Sequence, residues 1–218
     1  IPDHVLAKLI NNNMHNSFIG SVPSKFSTVL NDANNEMGLT EADIDSVILG
    51  CNGAIYLTNK VFSPTTYASV SFPALINDNM SIFYWAIEEL EYYAYLNSME
   101  SYYSFFIPTN EALLQYIDPV SYGQTMTKVY RFFYDPLAPT DAERVKASMW
   151  TYDVTTSTLV DSLGMATYAQ ITNRLKDMLD YHIVIGNVED GNTYYQTKGG
   201  GTIKIEKAQQ GAGHMTVA

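Results

Sequence analysis

The aromatic side chains between residues 120 and 165 have the clearest capacity to bind a ligand. Two short runs concentrate them: Tyr130, Phe132, Phe133, Tyr134, Trp150 and Tyr152. Tyrosine and tryptophan bind sugars and proteins because they present rigid, amphipathic surface. Packing in a core explains most such rings, whereas an exposed aromatic would indicate a binding surface. We therefore take Trp150 and Tyr152 as candidate ligand-binding residues.

Histidine and cysteine are too sparse to predict a metal centre. The histidines, at His4, His15, His182 and His214, lack the spacing of metal ligands, and the single Cys51 excludes an internal disulfide. Cys51 is expected to be a small buried residue beside a turn. His182 continues an apolar helix face, where a core histidine bonded to backbone is the first interpretation. No metal ion or cofactor is expected.

Paired carboxylates are the other chemistry to weigh. Glycoside hydrolysis needs two acids that face one cleft, but Glu88, Glu89 and Glu91 follow one helix and favour a solvated face. The chain lacks Gly-x-Ser-x-Gly and His-Glu-x-x-His motifs. Gly199-Gly200-Gly201 lies between strand-like segments and favours a hairpin turn over a phosphate loop. The sequence therefore predicts a protein that is not an enzyme.

Charge and hydropathy exclude further classes. Twelve Lys and Arg against twenty-three Asp and Glu give a net charge of −11 over 218 residues. Nucleic-acid binding relies on Lys and Arg that replace phosphate counterions, so this balance argues against it. No stretch reaches the roughly 18 apolar residues of a transmembrane helix. The length allows one large domain or two small ones.

The first part of the chain predicts helices, one turn and one strand. Residues 1–50 are interpreted as mostly helical, and Asn52-Gly53 is a strong signal for a tight turn before a strand. The segment 65–72 lies between two prolines and is interpreted as a linker or domain boundary. Helical spacing behind Ser81, a suitable N-cap, predicts an amphipathic helix of about four turns to Leu96.

A strand and a cap are predicted in the middle of the chain. Residues 103–107 alternate as a short strand, which Pro108 ends. Thr109 and Asn110 then provide side chains that cap helices, so they are expected to begin the helix that follows. This cap alone explains both residues structurally.

The later part of the chain predicts the elements around the aromatic residues. Residues 129–134 form an aromatic strand, and a capping box at 140–143 predicts a short helix toward residue 150. Apolar residues at helical spacing predict a helix over 171–182, which leads into a buried strand at 183–185. Alternation on both sides of the triple glycine predicts a hairpin over 194–207.

Three pieces of the chain together resemble the fasciclin domain family. Residues 105–113 are similar to its first motif, in which a strand ends in Pro-Thr-Asp/Asn before a capped helix. Residues 175–186 are similar to its second motif, in which a helix ends in Tyr-His before an apolar strand. Residues 52–62 resemble the Asn-Gly turn and strand that close such a domain.

The order of these pieces implies two domains. The closing strand precedes the first motif, so residues 1–72 would be the C-terminal part of one fasciclin-like domain. Residues 73–218 would be a second domain, with an insertion at about 120–165 and without its own closing strand. The resemblance implies an α+β fold, a twisted β-wedge or sandwich with helices packed around it. Pro108, Thr109, Asn110, Asn52 and Gly53 would be its structural motif residues.

The resemblance also implies a function. The chain is similar to surface fasciclin proteins of gut Bacteroidetes, which predicts an extracellular adhesion or binding module for a protein or glycan. The family's Tyr-His region has been linked to receptor binding, and Tyr181 and His182 are the matching positions. A lipid anchor would require a segment that this chain does not include. A glycan-binding accessory protein of a polysaccharide-uptake system is the alternative, and a glycoside hydrolase is the weakest one.

Overall fold

Five α-helices and eleven β-strands make up the described part of the chain, together with short 3-10 turns. The computed structural model describes residues 3–14, 23–31, 35–98, 101–124, 126–188, 193–207 and 216–217. The helices are α1 Asp3–Asn12, α2 Phe72–Ile76, α3 Ser81–Glu89, α4 Tyr93–Leu96 and α5 Tyr168–His182. The strands are β1 Ile44–Gly50, β2 Gly53–Thr58, β3 Tyr103–Phe105, β4 Tyr116–Ile117, β5 Thr127–Tyr134, β6 Val145–Asp153, β7 Thr158–Met165, β8 Ile183–Ile185, β9 Tyr194–Gln196, β10 Thr202–Glu206 and β11 Thr216–Val217. This mixture confirms the general α+β class.

The strands form four small antiparallel sheets. The largest has the order β4-β5-β6-β7, and β1 and β2 form a separate hairpin. The strand β3 pairs with β8, and β10 lies between β9 and β11. An isolated bridge between Val184 and Thr197 joins the last two sheets. The segment that follows α5 is therefore hydrogen-bonded through β8 to β3, the strand that precedes β4.

The four-stranded sheet has one buried face and one partly open face. Tyr130 lies opposite Met149, and Phe132 lies opposite Ala147, which places these four side chains on one face because side chains alternate along a strand. We call it the inner face. Phe132 and Ala147 are fully buried there, in the core that also contains residues of α3 and α5. The opposite, outer face carries Trp150 and its neighbours.

The helix α5 covers the inner face, and its sequence determines where it begins. Thr167 and Gln170 form a capping box, with 3.3 Å from the Gln170 amide nitrogen to the Thr167 hydroxyl. The buried residues follow helical spacing, as the sequence predicts: Ile171, Leu175, Met178 and Leu179. The predicted helix, the strand β8 after it and the hairpin β9–β10 are confirmed.

The predicted four-turn helix from Ser81 is wrong, because the chain breaks after Glu89. Glu91 adopts a left-handed backbone with φ of 57°. The amide of Tyr92 bonds the carbonyl of Ile87 at 2.9 Å, and that of Glu91 bonds Glu88 at 3.1 Å. These two bonds define a Schellman motif, which ends α3 and lets α4 begin in a new direction.

Two further helix predictions are corrected by strand pairing. Residues 44–50 are the strand β1 rather than helix, and the Asn52-Gly53 turn joins it to β2 as predicted. The turn leaves Cys51 exposed, not buried. After Thr140 only a 3-10 turn forms, at Asp141–Glu143, and β6 follows it. The backbone of β6 bonds β5 and β7 on its two sides, which a helix could not do.

The motif at Pro108, Thr109 and Asn110 caps differently from the prediction. Thr109 does accept a bond from the following segment, at 3.4 Å from the Ala112 amide, but that segment is a 3-10 turn and no α-helix follows. Asn110 instead caps α3, because its Oδ1 lies 3.1 Å from the Ile82 amide. Its Nδ2 also bonds the Ser81 hydroxyl at 2.9 Å. Asn110 is thus a long-range cap.

The segment 65–72 is folded and partly buried. It contains a 3-10 turn and the start of α2, and Thr66 and Ser71 are buried. The side chain of Asn97 bonds the Thr66 hydroxyl at 2.9 Å. A solvated linker would not make such contacts, so this segment is part of the packed structure. The division into domains at residue 72 stays a prediction.

Candidate functional site

Tyr181 and His182 lie side by side in the last turn of α5, in different environments. His182 is partly buried, and its Nδ1 lies 2.7 Å from the Met178 carbonyl one turn earlier. Its ring meets Phe83 edge-on, with 5.6 Å between ring centres. This confirms the interpretation of His182 as a core histidine bonded to backbone. Tyr181, in contrast, is 49% exposed.

Burial keeps His182 neutral. Desolvation lowers the pKa of His182, and it outweighs the hydrogen bond to Met178, which would raise it. The Met178 carbonyl can only accept, so Nδ1 donates and the lone pair lies on Nε2. His182 therefore orients the last turn of the helix, and the side chain that remains available to a partner is Tyr181.

Asp180 connects this turn to two other parts of the chain and to Lys176 on α5 itself. Its carboxylate accepts hydrogen bonds from the Tyr92 hydroxyl at 2.6 Å, from Lys198 at 2.7 Å and from Lys176 at 2.8 Å. Desolvation would raise the pKa of Asp180, but these bonds together lower it to about 2. The same contact and burial raise the pKa of Tyr92. Asp180 is thus a permanently charged anchor.

The triple-glycine turn packs directly against this anchor. A Cβ on Gly199 would lie 3.1 Å from the Cβ of Asp180, and one on Gly201 would lie 3.7 Å from the Tyr181 ring. Lys198 also lies over the Tyr92 ring, 4.6 Å from its centre. We call the set formed by Asp180, Tyr92, Lys176, Lys198 and this turn the α5 joint. It holds the backbone at Tyr181 in one position.

Trp150 and Tyr152 both project from the outer face of the four-stranded sheet, but only Trp150 remains partly open. Tyr152 is 6% exposed, and its hydroxyl accepts a bond from Gln115 at 2.8 Å. The indole nitrogen of Trp150 lies 3.1 Å from the hydroxyl of Ser148, two residues back on the same face. This bond ties the polar edge of the indole to its own strand and leaves the side chain partly exposed.

The strand β5 contributes residues that the sequence analysis did not single out. Arg131 lies opposite Ser148, and Phe133 lies opposite Lys146, on the same face as Trp150. Phe133 is 40% exposed. We call the patch of Arg131, Phe133, Lys146, Ser148 and Trp150 the outer surface. The sequence signal for these residues was the alternation of side chains along β5. It places Arg131 on the face opposite to that of its buried neighbours Tyr130 and Phe132.

The two predicted pairs belong to different surfaces. Tyr181 and His182 are on α5, which packs on the inner face, whereas Trp150 and Tyr152 project from the outer face. The sheet itself separates them. The two members of each pair therefore lie close to each other, but the two pairs do not form one site.

The acidic residues considered for hydrolysis join structural elements instead. Glu88 forms an ion pair with Lys8 at 3.0 Å, and Glu89 accepts a bond from the Tyr168 hydroxyl at 2.5 Å. A cavity of about 320 Å³ is lined by Lys8, Asn11, Asn12, Met14, Leu30, Asn31 and Pro64. None of the described residues that line this cavity is a carboxylate, so they do not supply the paired acids that glycoside hydrolysis needs.

The described residues also bear on metals and membranes. No group of three or more His, Cys, Asp or Glu converges among them. His15 and His214 lie outside the described residues. None of the helices described combines the length and apolar character required to cross a lipid bilayer.

Comparison of the chain with known protein families, with curated proteins and with solved structures found no significant match in any of the three. The resemblance to fasciclin domains is therefore carried by the quoted motifs alone. Any assignment of function depends on those motifs and on the two surfaces described above.

Proposed function

We propose that this chain is an extracellular adhesion or binding module of the fasciclin type, with no enzymatic activity, that recognises a protein or glycan ligand. The proposal includes the tandem division into residues 1–72 and 73–218. One observation supports the resemblance: the strands of the two quoted motifs, β3 and β8, pair with each other, with Tyr103 opposite Ile185. Motifs that are 70 residues apart in sequence thus meet as one unit.

The exposed Tyr181 on the α5 joint carries the binding proposal. A half-exposed tyrosine offers apolar area and a hydroxyl to a partner at a low cost in side-chain entropy. Here the residue before it is bonded to Tyr92, to Lys198 and to Lys176 of the same helix, and the residue after it is held in the core. A rigid aromatic anchor of this kind is typical of residues that dominate the energy of protein interfaces.

A binding screen against extracellular-matrix proteins tests this proposal. Tyr181→Ala should weaken the interaction by about tenfold or more, as expected for an interface hot spot. Tyr122→Ala is the matched control, because Tyr122 is also exposed, at 63%, but lies outside the α5 joint. Circular dichroism confirms that both variants fold. Equal binding by wild type and Tyr181→Ala would contradict the role of Tyr181.

A glycan-binding accessory protein is the second candidate, and Trp150 favours it. A partly exposed indole, held to its strand by the bond to Ser148, can stack on the apolar face of a sugar ring. In a glycan screen, Trp150→Ala should abolish binding. Tyr152→Phe should retain it, because the Tyr152 hydroxyl is already bonded to Gln115 inside the fold. A glycan bound equally by Trp150→Ala would exclude this surface as its site.

A further inference from the structure

Arg131 is unusual among the three arginines of the chain. Arg144 pairs with Asp141 at 2.9 Å, and Arg174 pairs with Asp118 at 3.1 Å. Arg131 has no carboxylate partner among the described residues. Its Nε donates to the backbone carbonyl of Leu114 at 3.2 Å, which holds the side chain without using its two terminal nitrogens. In a chain with a net charge of −11, such an unpaired guanidinium needs an explanation.

The pairing of β5 with β6 puts Arg131 on the same face of the sheet as two aromatic residues. Arg131 lies directly opposite Ser148. Phe133 is two residues away along β5, and Trp150 is two residues beyond Ser148 along β6. Same-face neighbours along a strand are about 7 Å apart and diagonal neighbours about 7–8 Å, within reach of these long side chains. Position 131 therefore lies beside Phe133 along β5 and diagonal to Trp150 on β6, and all three belong to the outer surface.

The other cation of the outer surface is already compensated. Lys146 forms an ion pair with Asp135 at 3.0 Å, and that hydrogen bond lowers the pKa of Asp135. Lys146 therefore adds little net charge to the patch. Arg131 is therefore the positive charge of the outer surface that no described carboxylate compensates. A ligand complementary to this surface combines one flat apolar face with one anionic group.

We infer that the outer surface binds an acidic oligosaccharide, whose rings contact both Trp150 and Phe133 while Arg131 binds its carboxylate or sulfate. The planar guanidinium matches both anions with two parallel hydrogen bonds. The Ser148 hydroxyl adds a polar contact beside them. This inference rests on the second candidate function, glycan binding, and names the class of its ligand.

The geometry favours a saccharide over an acidic peptide. Peptides commonly bind sheets by adding a strand to a free edge. The strand β6, which carries Trp150 and Ser148, is paired with β5 on one side and with β7 on the other. Its backbone is therefore not open to another strand. Contacts must come from side chains on the flat face, which suits a stacked ring.

Calorimetric titration of the whole chain with defined oligosaccharides tests the inference. The probes are an oligogalacturonate, whose anions are carboxylates, a carrageenan oligosaccharide, whose anions are sulfates, and a neutral galactan oligosaccharide. Arg131→Gln should weaken binding of one acidic probe by about tenfold or more, as expected for a hydrogen bond to a charged group. Comparison of the two acidic probes shows which anion is preferred.

Two further variants separate stacking and general charge from this contact. Trp150→Ala and Phe133→Ala should each weaken the same acidic probe, and either one suffices if the other fails to fold. Lys25→Gln is the matched control, because it removes one exposed positive charge elsewhere. It should change binding by less than about twofold at 0.15 M salt, where distant surface charges are screened.

The outcomes distinguish the inference from the function on which it rests. A neutral probe that binds as tightly as the acidic ones, with no effect of Arg131→Gln, would overturn the inference but retain glycan binding. Equal losses in Arg131→Gln and Lys25→Gln, or tighter binding of an oligoglutamate peptide, would also overturn it. If no saccharide bound, both the inference and the glycan-binding function would be contradicted, whereas the proposal of protein binding through Tyr181 would be unaffected.

Discussion

The two faces of the four-stranded sheet carry similar residues in opposite circumstances. The inner face buries its rings against α3 and α5, and α5 ends in a joint whose carboxylate accepts three hydrogen bonds. The outer face has the partly open Trp150 and Phe133, together with Arg131, which has no acidic partner among the described residues. The inner side thus uses aromatic and charged groups for stability, and the outer side keeps them available.

This difference teaches how to separate structural from functional residues in an aromatic-rich chain. A tyrosine whose hydroxyl is bonded inside the fold, such as Tyr92 or Tyr152, has a complete structural explanation. A buried charge must likewise find partners, since desolvation penalises it. The exposed Tyr181 and the Arg131 guanidinium, whose Nε alone bonds another described residue, are the groups that a ligand can use.

The largest expected effect distinguishes two adjacent phenylalanines. Phe132 is fully buried and Phe133 is 40% exposed, on opposite faces of the same strand. Phe132→Ala should lower the free energy of unfolding by about 3–5 kcal/mol, because it also leaves a cavity. Phe133→Ala leaves no enclosed cavity and should cost no more than about 1.5 kcal/mol. Urea titrations measure both, and similar losses would refute the distinction between the faces.

The next effect compares the charged groups of the two sides. Asp180→Asn weakens bonds to Lys176 and Lys198, so it should cost about 1.5–3 kcal/mol of stability. Arg131→Gln removes no ion pair and should change stability by less than about 0.5 kcal/mol. Thermal and urea unfolding provide the measurement. A large loss from Arg131→Gln would mean that this arginine stabilises the fold and is not reserved for a ligand.

A control on α5 sharpens that comparison. Asp177 lies one turn before Tyr181, and its carboxylate lies 3.6 Å from the guanidinium of Arg174. Its side chain is 66% exposed. Asp177→Asn should therefore behave like other surface substitutions, within about 0.5 kcal/mol. If it destabilised the chain as strongly as Asp180→Asn, net charge on the helix would explain both losses and the α5 joint would not.

Local signals were sufficient to predict several elements of this structure. The residues that determine α5, a cap followed by apolar residues at helical spacing, lie within one segment. The same holds for the β1–β2 turn at Asn52-Gly53 and for the hairpin around the triple glycine. These elements are specified by neighbours in sequence, so the sequence predicts them without knowledge of the packing.

Other features depend on residues that are distant in sequence. Asn110 caps α3, which begins 29 residues earlier along the chain, and no local pattern indicates that contact. Glu91 takes a left-handed conformation that usually falls to glycine, so the end of α3 carried no signal. Arg131 is notable because it has no carboxylate partner among the described residues. Its neighbours across the sheet are known only from the pairing of β5 with β6. Among the candidate residues, the exposure of the Tyr181 and Trp150 side chains could be read from the structure but not from the sequence.

The smallest expected effect is on the pH dependence of the free energy of unfolding, and it concerns only the inner face of the sheet. Burial lowers the pKa of His182 in the folded chain below its ordinary value of 6.5. At pH below 6.5 the unfolded chain therefore binds more protons than the folded chain, and stability falls as the pH falls through the folded pKa. His182→Gln removes this contribution, so its free energy of unfolding should decrease less between pH 7.5 and about 5.5. Urea titrations at several pH values measure the two slopes.

Arg131→Gln supplies the outer-side control for this pH dependence. Arginine remains protonated throughout this range, so the variant should keep the wild-type slope. Carboxylates titrate at lower pH in all three proteins and largely cancel in the comparison. If His182→Gln also kept the wild-type slope, the histidine would not be held neutral by the core. The last turn of α5 would then owe its orientation to Asp180, and Tyr181 would be positioned by the α5 joint alone.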